Sequence, residues 1–276
     1  MANYYYIVSG LPDLLLDQEQ KTTVSLDTFI REMADLLPEK DYNLLPLIRF
    51  PEDNKNIITL LTERNRKFST LGNFDQETLQ AELKTFDQLP EYARNFINAF
   101  RQGKAIHPRL QTEDQLALLF YEAMLTSPDY FIREWFSFEL KLRNIIAAVD
   151  CRKYGGDKEA SIIDLDEVSR QILKSTAPDF SLSSRCPWAE KILQQEQTLS
   201  VTEYAKTIDQ IRWRQIDEIP LTDVFSIGSI LGFCIKLQIT ERWQSLEMET
   251  GKTFLDKLIK ELESSYLEKE AAAGGS

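Results

Sequence analysis

The chain has 276 residues, with 32 basic against 44 acidic side chains and a net charge of −12. A surface that acidic repels phosphate backbones and anionic headgroups, which disfavours nucleic acid and binding to an anionic membrane and suits basic protein partners, and no direct membrane insertion is expected. Hydrophobic residues make up 43% and aromatic residues 11%, a globular composition, and ten Gly with ten Pro are few turn-formers for this length, so an all-α fold of many helices is expected.

The opening run Tyr4, Tyr5, Tyr6, Ile7 and Val8 suits either a short strand or a buried helical start, and Pro12 breaks it. Ser25 caps an expected helix from Leu26 to Leu37, with Val24 and Phe29 as its hydrophobic staple and Pro38 as its stop. Short pieces bracketed by Pro46 and Pro51 lead to a helix over Asp53 to Asn65. Gly72 and Asn73 mark a turn before helices over Asp75 to Leu89 and Glu91 to Gln102. Thr112 opens a capping box with Gln115, and its helix ends near Leu125.

The longest periodic stretch runs from Ser127 to Gly155. Ser127 is placed to cap it, Pro128 suits the first helical position, and Arg152, Lys153 and Gly155 mark its end. Phe131, Trp135, Phe138, Leu142, Ile145 and Val149 fall on one face. Tyr154 to Ser161, with two adjacent glycines, is the best boundary between sub-lobes of one 276-residue unit. A helix from about Asp164 to Ser175 precedes the aperiodic stretch Ala177 to Trp188, expected to be a surface loop. Ser200 and Glu203 form a second capping box for a helix reaching Ile219. Gly228 and Gly232, four apart between Ile and Leu residues, are expected to admit a neighbouring helix closely. A last amphipathic helix is expected from Thr253 to about Glu270.

The chemistry-bearing motifs are sparse. Cys151, Cys186 and Cys234 are odd in number and far apart, as for buried thiols in a reducing cytoplasm, and the start lacks the features of a signal peptide. A single histidine, His107, disfavours histidine-built metal sites and Ser-His-Asp triads. Neither GxxxxGK[ST] nor GxGxxG occurs. No catalytic residue, cofactor or metal ligand is therefore assigned, and no enzymatic activity is expected.

What remains is charge placement. Glu139, four residues before Arg143, has the favourable orientation for a helical ion pair, and with Asn144 it forms a polar cluster that is either structural or else partner-facing or register-fixing. Arg133, Arg152 and Lys153 lie on or near the same helix, and Arg212, Arg214 and Arg242 lie near Trp213 and Trp243. Arg with Trp is the pairing that most often dominates interfaces, so these are the candidate docking residues, unless the tryptophans are core and the arginines solvate the surface.

Two stretches carry a resemblance. FIREWFSFELKLRNIIAAVDCRKYG (Phe131 to Gly155) resembles the central segment of the V-type and A-type ATPase subunit called C in prokaryotes and d in eukaryotes, with Leu142, Arg143, Asn144 and Ile145 matching its core and Arg152 and Lys153 its basic end. FSIGSILGFCIKLQITERWQSLEMETGK (Phe225 to Lys252) is similar to that family's C-terminal segment at Phe225, Ser226, Ile230, Leu231, Gly232, Phe233, Arg242, Gly251 and Lys252. Where the family has a Lys-Glu-x-Glu-like stretch, this chain has Leu237, Gln238, Ile239 and Thr240. The opening NYYYIVSGLPDLLL is more weakly similar, and is nearer to a divergent bacterial group encoded beside V-type ATPase genes. The resemblance implies an all-helical, three-lobed, funnel-like subunit. It implies a socket between the membrane rotor ring and the central shaft, held on the cytoplasmic side of the membrane through the complex. A helical regulator or assembly factor of that complex is the alternative.

Overall fold

The computed structural model describes residues 4–16, 24–62, 66–195, 200–219, 221 and 223–246. They form α1 (Tyr5–Ser9), α2 (Leu26–Met33), α3 (Glu39–Tyr42), a 3₁₀ turn (Leu45–Ile48), α4 (Phe50–Thr62), α5 (Gln76–Thr85), α6 (Glu91–Arg101) and α7 (Thr112–Leu125). Then follow α8 (Tyr130–Tyr154), α9 (Glu167–Lys174), α10 (Ala189–Gln195), α11 (Val201–Glu218) and α12 (227–246). Among the described residues there is no strand. The ambiguous aromatic start is helical, tied to the distant chain by the Tyr4 N–H on the Phe225 carbonyl at 2.8 Å. The expected helix beyond Thr253 lies outside the described residues.

The fold is arranged around α8. Its stripe residues are all buried, and Ile132, Phe136, Leu140 and Ala148 extend the buried surface round the helix, so neighbours cover it on several sides. It packs against α7, α9, α10 and α11. At its N-terminal end Phe131 lies under α12: a Cβ at Gly228 or Gly232 would stand 3.5–3.6 Å from the Phe131 ring and under 3 Å from Leu221 or Ile216. The paired glycines do admit a close neighbour, because no larger residue leaves room for it.

Several boundaries differ from expectation for local reasons. Asp129, not Ser127, caps α8: its carboxylate accepts the Ile132 N–H at 2.9 Å, while the Ser127 hydroxyl accepts the Asp129 N–H at 3.3 Å. A carboxylate at the positive helix end is the stronger acceptor. Thr112 does not cap α7. Gln111 is the N-cap without a side-chain bond, and the buried Gln115 reaches back to accept the Ile106 N–H at 2.8 Å and to donate to the Leu110 carbonyl at 3.0 Å, stitching the preceding loop. Helix α2 stops at Met33, four residues short, because Pro38 disfavours helical geometry at Leu37 and the chain tightens into turns first. The Ser200–Glu203 box and the left-handed Gly155 cap are present as read.

The stretch Ala177 to Trp188 is irregular but not a surface excursion. Phe180, Leu182 and Cys186 are buried, the Trp188 ring meets Phe138 at 5.2 Å, and Arg152 lies 4.7 Å over Phe180 while donating to the Pro178 carbonyl at 2.6 Å. Its apolar residues lack a period because they pack from turns. The 154–161 stretch also folds back: Gly156 donates to the Cys151 carbonyl at 2.8 Å, and Lys158 caps the end of α9 through the Ile172 and Ser175 carbonyls.

Asp53 on α4 is fully buried beneath the Gly72–Asn73 turn. Its carboxylate accepts the Asn73 N–H at 2.9 Å, the Asn73 side-chain amide at 2.7 Å and the Phe74 N–H at 3.3 Å, and a side chain at Gly72 would collide with it. Burial pushes its pKa up to about 6 against the pull of those donors and of Arg49. The sign follows from linkage. The folded carboxyl holds its proton above the unfolded value of about 3.9, so the native state is the more protonated between about pH 4 and pH 6, and ionisation there costs stability. Relative to Asp53→Asn, the native chain should lose on the order of 2–3 kcal/mol between those limits and nothing further above them. Urea unfolding of both proteins across this range checks it. A gap that stays constant would mean that the donors fully offset burial.

Candidate functional site

Helices α4, α7, α8, α11 and α12 enclose a cleft of about 360 Å³. Its floor is apolar, built from Ile58, Phe120, Trp135, Phe136, Ile235 and Ile239. Phe120 and Phe136 meet edge to face at 4.9 Å, a geometry that fixes both rings. Charged side chains from the same five helices and the chain before α5 stand around this floor.

The charges are paired across elements. Glu52 takes Lys55 at 2.6 Å and the Ser69 hydroxyl at 2.8 Å, and Arg66 meets Glu113 at 2.7 Å. Arg143 on α8 pairs with Asp114 on α7. Glu139 accepts two bonds from Arg212 on α11, at 2.7 and 3.0 Å. Behind the wall lies Asp209, with no solvent exposure. It accepts from Arg212 at 3.1 Å, from Arg242 on α12, and from the Trp243 indole N–H at 2.8 Å. One chain of ion pairs thus runs Glu139, Arg212, Asp209, Arg242 and joins three helices.

Burial and pairing compete at each carboxyl. Burial raises Asp114 above the ordinary carboxylate range despite Arg143. At Glu52 burial also pushes upward, but Lys55, Ser69 and Arg242 outweigh it and hold the group low. Burial works against the charge on Arg212, and Glu139 with Asp209 more than reverse it, so the guanidinium is held firmly charged.

Glu139 and Arg143 therefore do not pair with each other, as their spacing suggested. Each turns to a different neighbour, because α7 offers the half-buried Asp114 to Arg143 and α11 offers Arg212, which makes two bonds to Glu139. Asn144 is fully buried and reads the chain after the 154–161 stretch, donating to the Ile163 carbonyl at 2.8 Å and accepting its N–H at 3.0 Å, which fixes register. The arginines do not form one surface. Arg212 and Arg242 line the cleft in internal pairs, and Arg214 is exposed. Arg133 donates to the Ser127 carbonyl at 2.6 Å, and Arg152 and Lys153 sit at the other end of α8, about 28 Å away along the axis. Asp114 and Asp209 were not singled out from the sequence. For Asp209 a signal existed: it lies two turns before the buried Ile216, on the face α11 turns inward.

With its acids and bases matched to one another, the cleft offers a shaped apolar floor behind a paired polar rim. Among the described residues no group of three or more His, Cys, Asp or Glu side chains is placed to hold a metal ion, and no helix is long and apolar enough to cross a membrane.

The fold and cleft define the class: an all-α, multi-helix protein with a charge-rimmed cleft between its helices. A family model described as "Protein of unknown function (DUF2764)" matches residues 1–266, and the chain belongs to that family. No match was found among curated proteins or among solved structures.

Proposed function

We propose that this chain is a non-catalytic central-stalk subunit of a V-type ATPase, a socket between the membrane rotor ring and the central shaft, and that the cleft receives the apolar tip of the shaft. One observation supports the reading most. The two stretches that resemble the ATPase subunit are distant in sequence yet converge on this cleft: Trp135, Phe136, Glu139 and Arg143 come from the first, and Ile235, Gln238, Ile239 and Arg242 from the second. The departure from the family pattern also fits its surroundings, since Leu237, Ile239 and Thr240 are buried and Gln238 bonds the Leu71 carbonyl at 3.3 Å.

A tagged chain should copurify with the assembled ATPase at one copy per complex, and the isolated chain should show no ATP binding in calorimetry. Ala117→Trp, which fills the cleft from a half-buried position on α7, should abolish copurification while leaving the helical circular dichroism spectrum intact. Recovery of the tagged chain without ATPase subunits would overturn the proposal.

A further inference from the structure

A second concavity, of about 520 Å³, lies away from the cleft, between the Pro12–Leu14 stretch, the end of α11 and the start of α12. It shares α8, α11 and α12 with the cleft but uses other residues: Phe131 from α8, Ile216, Asp217 and Glu218 from α11, and Gly228, Ser229, Gly232, Phe233 and Lys236 from α12. Its floor is apolar, and the glycines make it deep. The apolar surface continues outward through Val224, 64% exposed, to Phe225, whose ring lies 4.8 Å from that of Tyr5. Tyr6, next to Tyr5 at 5.7 Å, is 90% exposed. Large aromatic side chains left in water beside an apolar groove mark an interaction surface.

The rim is acidic. Asp13, Asp217 and Glu218 face Lys236, which is bound to Asp217 at 2.6 Å and lies 5.0 Å over the Trp213 ring. Asp13 and Glu218 have no cationic partner among the described residues.

We propose that this groove docks a basic amphipathic helix of a partner protein, its apolar face on Leu14, Val224 and Tyr5 and its Lys or Arg side chains against Asp13 and Glu218. Charge selects this occupant. A second copy of a chain carrying −12 would set acidic rim against acidic surface, and an anionic membrane is repelled for the same reason. The chain's own residues 247–276 hold seven acids against four bases, so they do not complement the rim either. The inference stands apart from the rotary ATPase reading and needs no such complex.

The test uses the isolated full chain and three fluorescein-labelled probes: an amphipathic Leu-Lys helix, a scrambled peptide of the same composition, and a Leu-Glu helix. The Leu-Lys helix should bind with salt-sensitive micromolar affinity, and the other two should not. The pair Asp13→Asn with Glu218→Gln, both exposed, should weaken binding about tenfold. Ser229→Trp, which fills the groove, should abolish it, while Ala117→Trp in the cleft should leave it unchanged. Equal binding of the scrambled peptide, indifference to both groove variants, or self-association of the free chain into a dimer would overturn the proposal. None of these results bears on copurification with an ATPase.

Discussion

Asp209→Ala is expected to destabilise the protein by about 3–5 kcal/mol, the usual cost of removing one partner from a buried ion pair. Asp209 has no solvent exposure and answers three donors from two helices, so its loss leaves Arg212, Arg242 and the Trp243 indole facing a void that solvent reaches poorly. Arg212 retains Glu139, which limits the damage on that side. Arg242 loses the carboxylate that ties α12 to α11. Asp209→Asn should cost less, since its carbonyl still accepts one bond. The measurement is urea unfolding of the two variants, with a double-mutant cycle against Arg242→Ala. Because the two side chains touch, a coupling of about 1–3 kcal/mol is expected. A loss below about 1 kcal/mol for Asp209→Ala would mean that the network sets helix position without contributing net stability.

Trp135→Ala is expected to cost about 3–5 kcal/mol, as for other large buried aromatics. The side chain is 4% exposed, packs on Phe138 at a ring separation of 5.6 Å, and forms part of the cleft floor. Removing it enlarges an existing cavity instead of creating an isolated one, so solvent entry from the cleft decides where in that range the value falls. Trp135→Phe keeps an aromatic floor and should lose about 1–2 kcal/mol. It is therefore the variant to carry into the copurification that tests the proposed socket role, where a change with a retained fold would separate a contact role of the floor from its packing role. A negligible shift in the melting midpoint for Trp135→Ala would show that the ring contributes to the cleft surface and little to the core.

Several features of the candidate site were written locally and could be read without coordinates. The six-residue stripe of α8 is buried as its spacing implied, because 3.6-residue periodicity places those side chains together whatever surrounds the helix. Gly155 and the Ser200–Glu203 box act within a few residues of chain and depend on nothing distant. The glycine pair of α12 was legible too, since removing two Cβ atoms at a four-residue spacing has few other structural uses. Partner choice was not legible. Glu139 and Arg143 have the right spacing to bond each other, yet α11 and α7 supply better partners, and nothing near them in sequence announces Arg212 or Asp114. The loop from Ala177 to Trp188 looked like surface because turns carry no period, although its apolar residues are core.

The amino-acid sequence by itself determined that the protein is helical, where most of the helices lie, and which face of α8 turns inward, since these follow from backbone geometry and the ordering of apolar side chains along one element. The tertiary structure alone decided that Glu139, Arg212, Asp209 and Arg242 form one chain of charges, that stretches nearly a hundred residues apart line a single cleft, and that Asp13 and Glu218 rim a second groove. Ion pairing depends on distance and dielectric in three dimensions, so side chains far apart in sequence acquire their partners only when the helices pack.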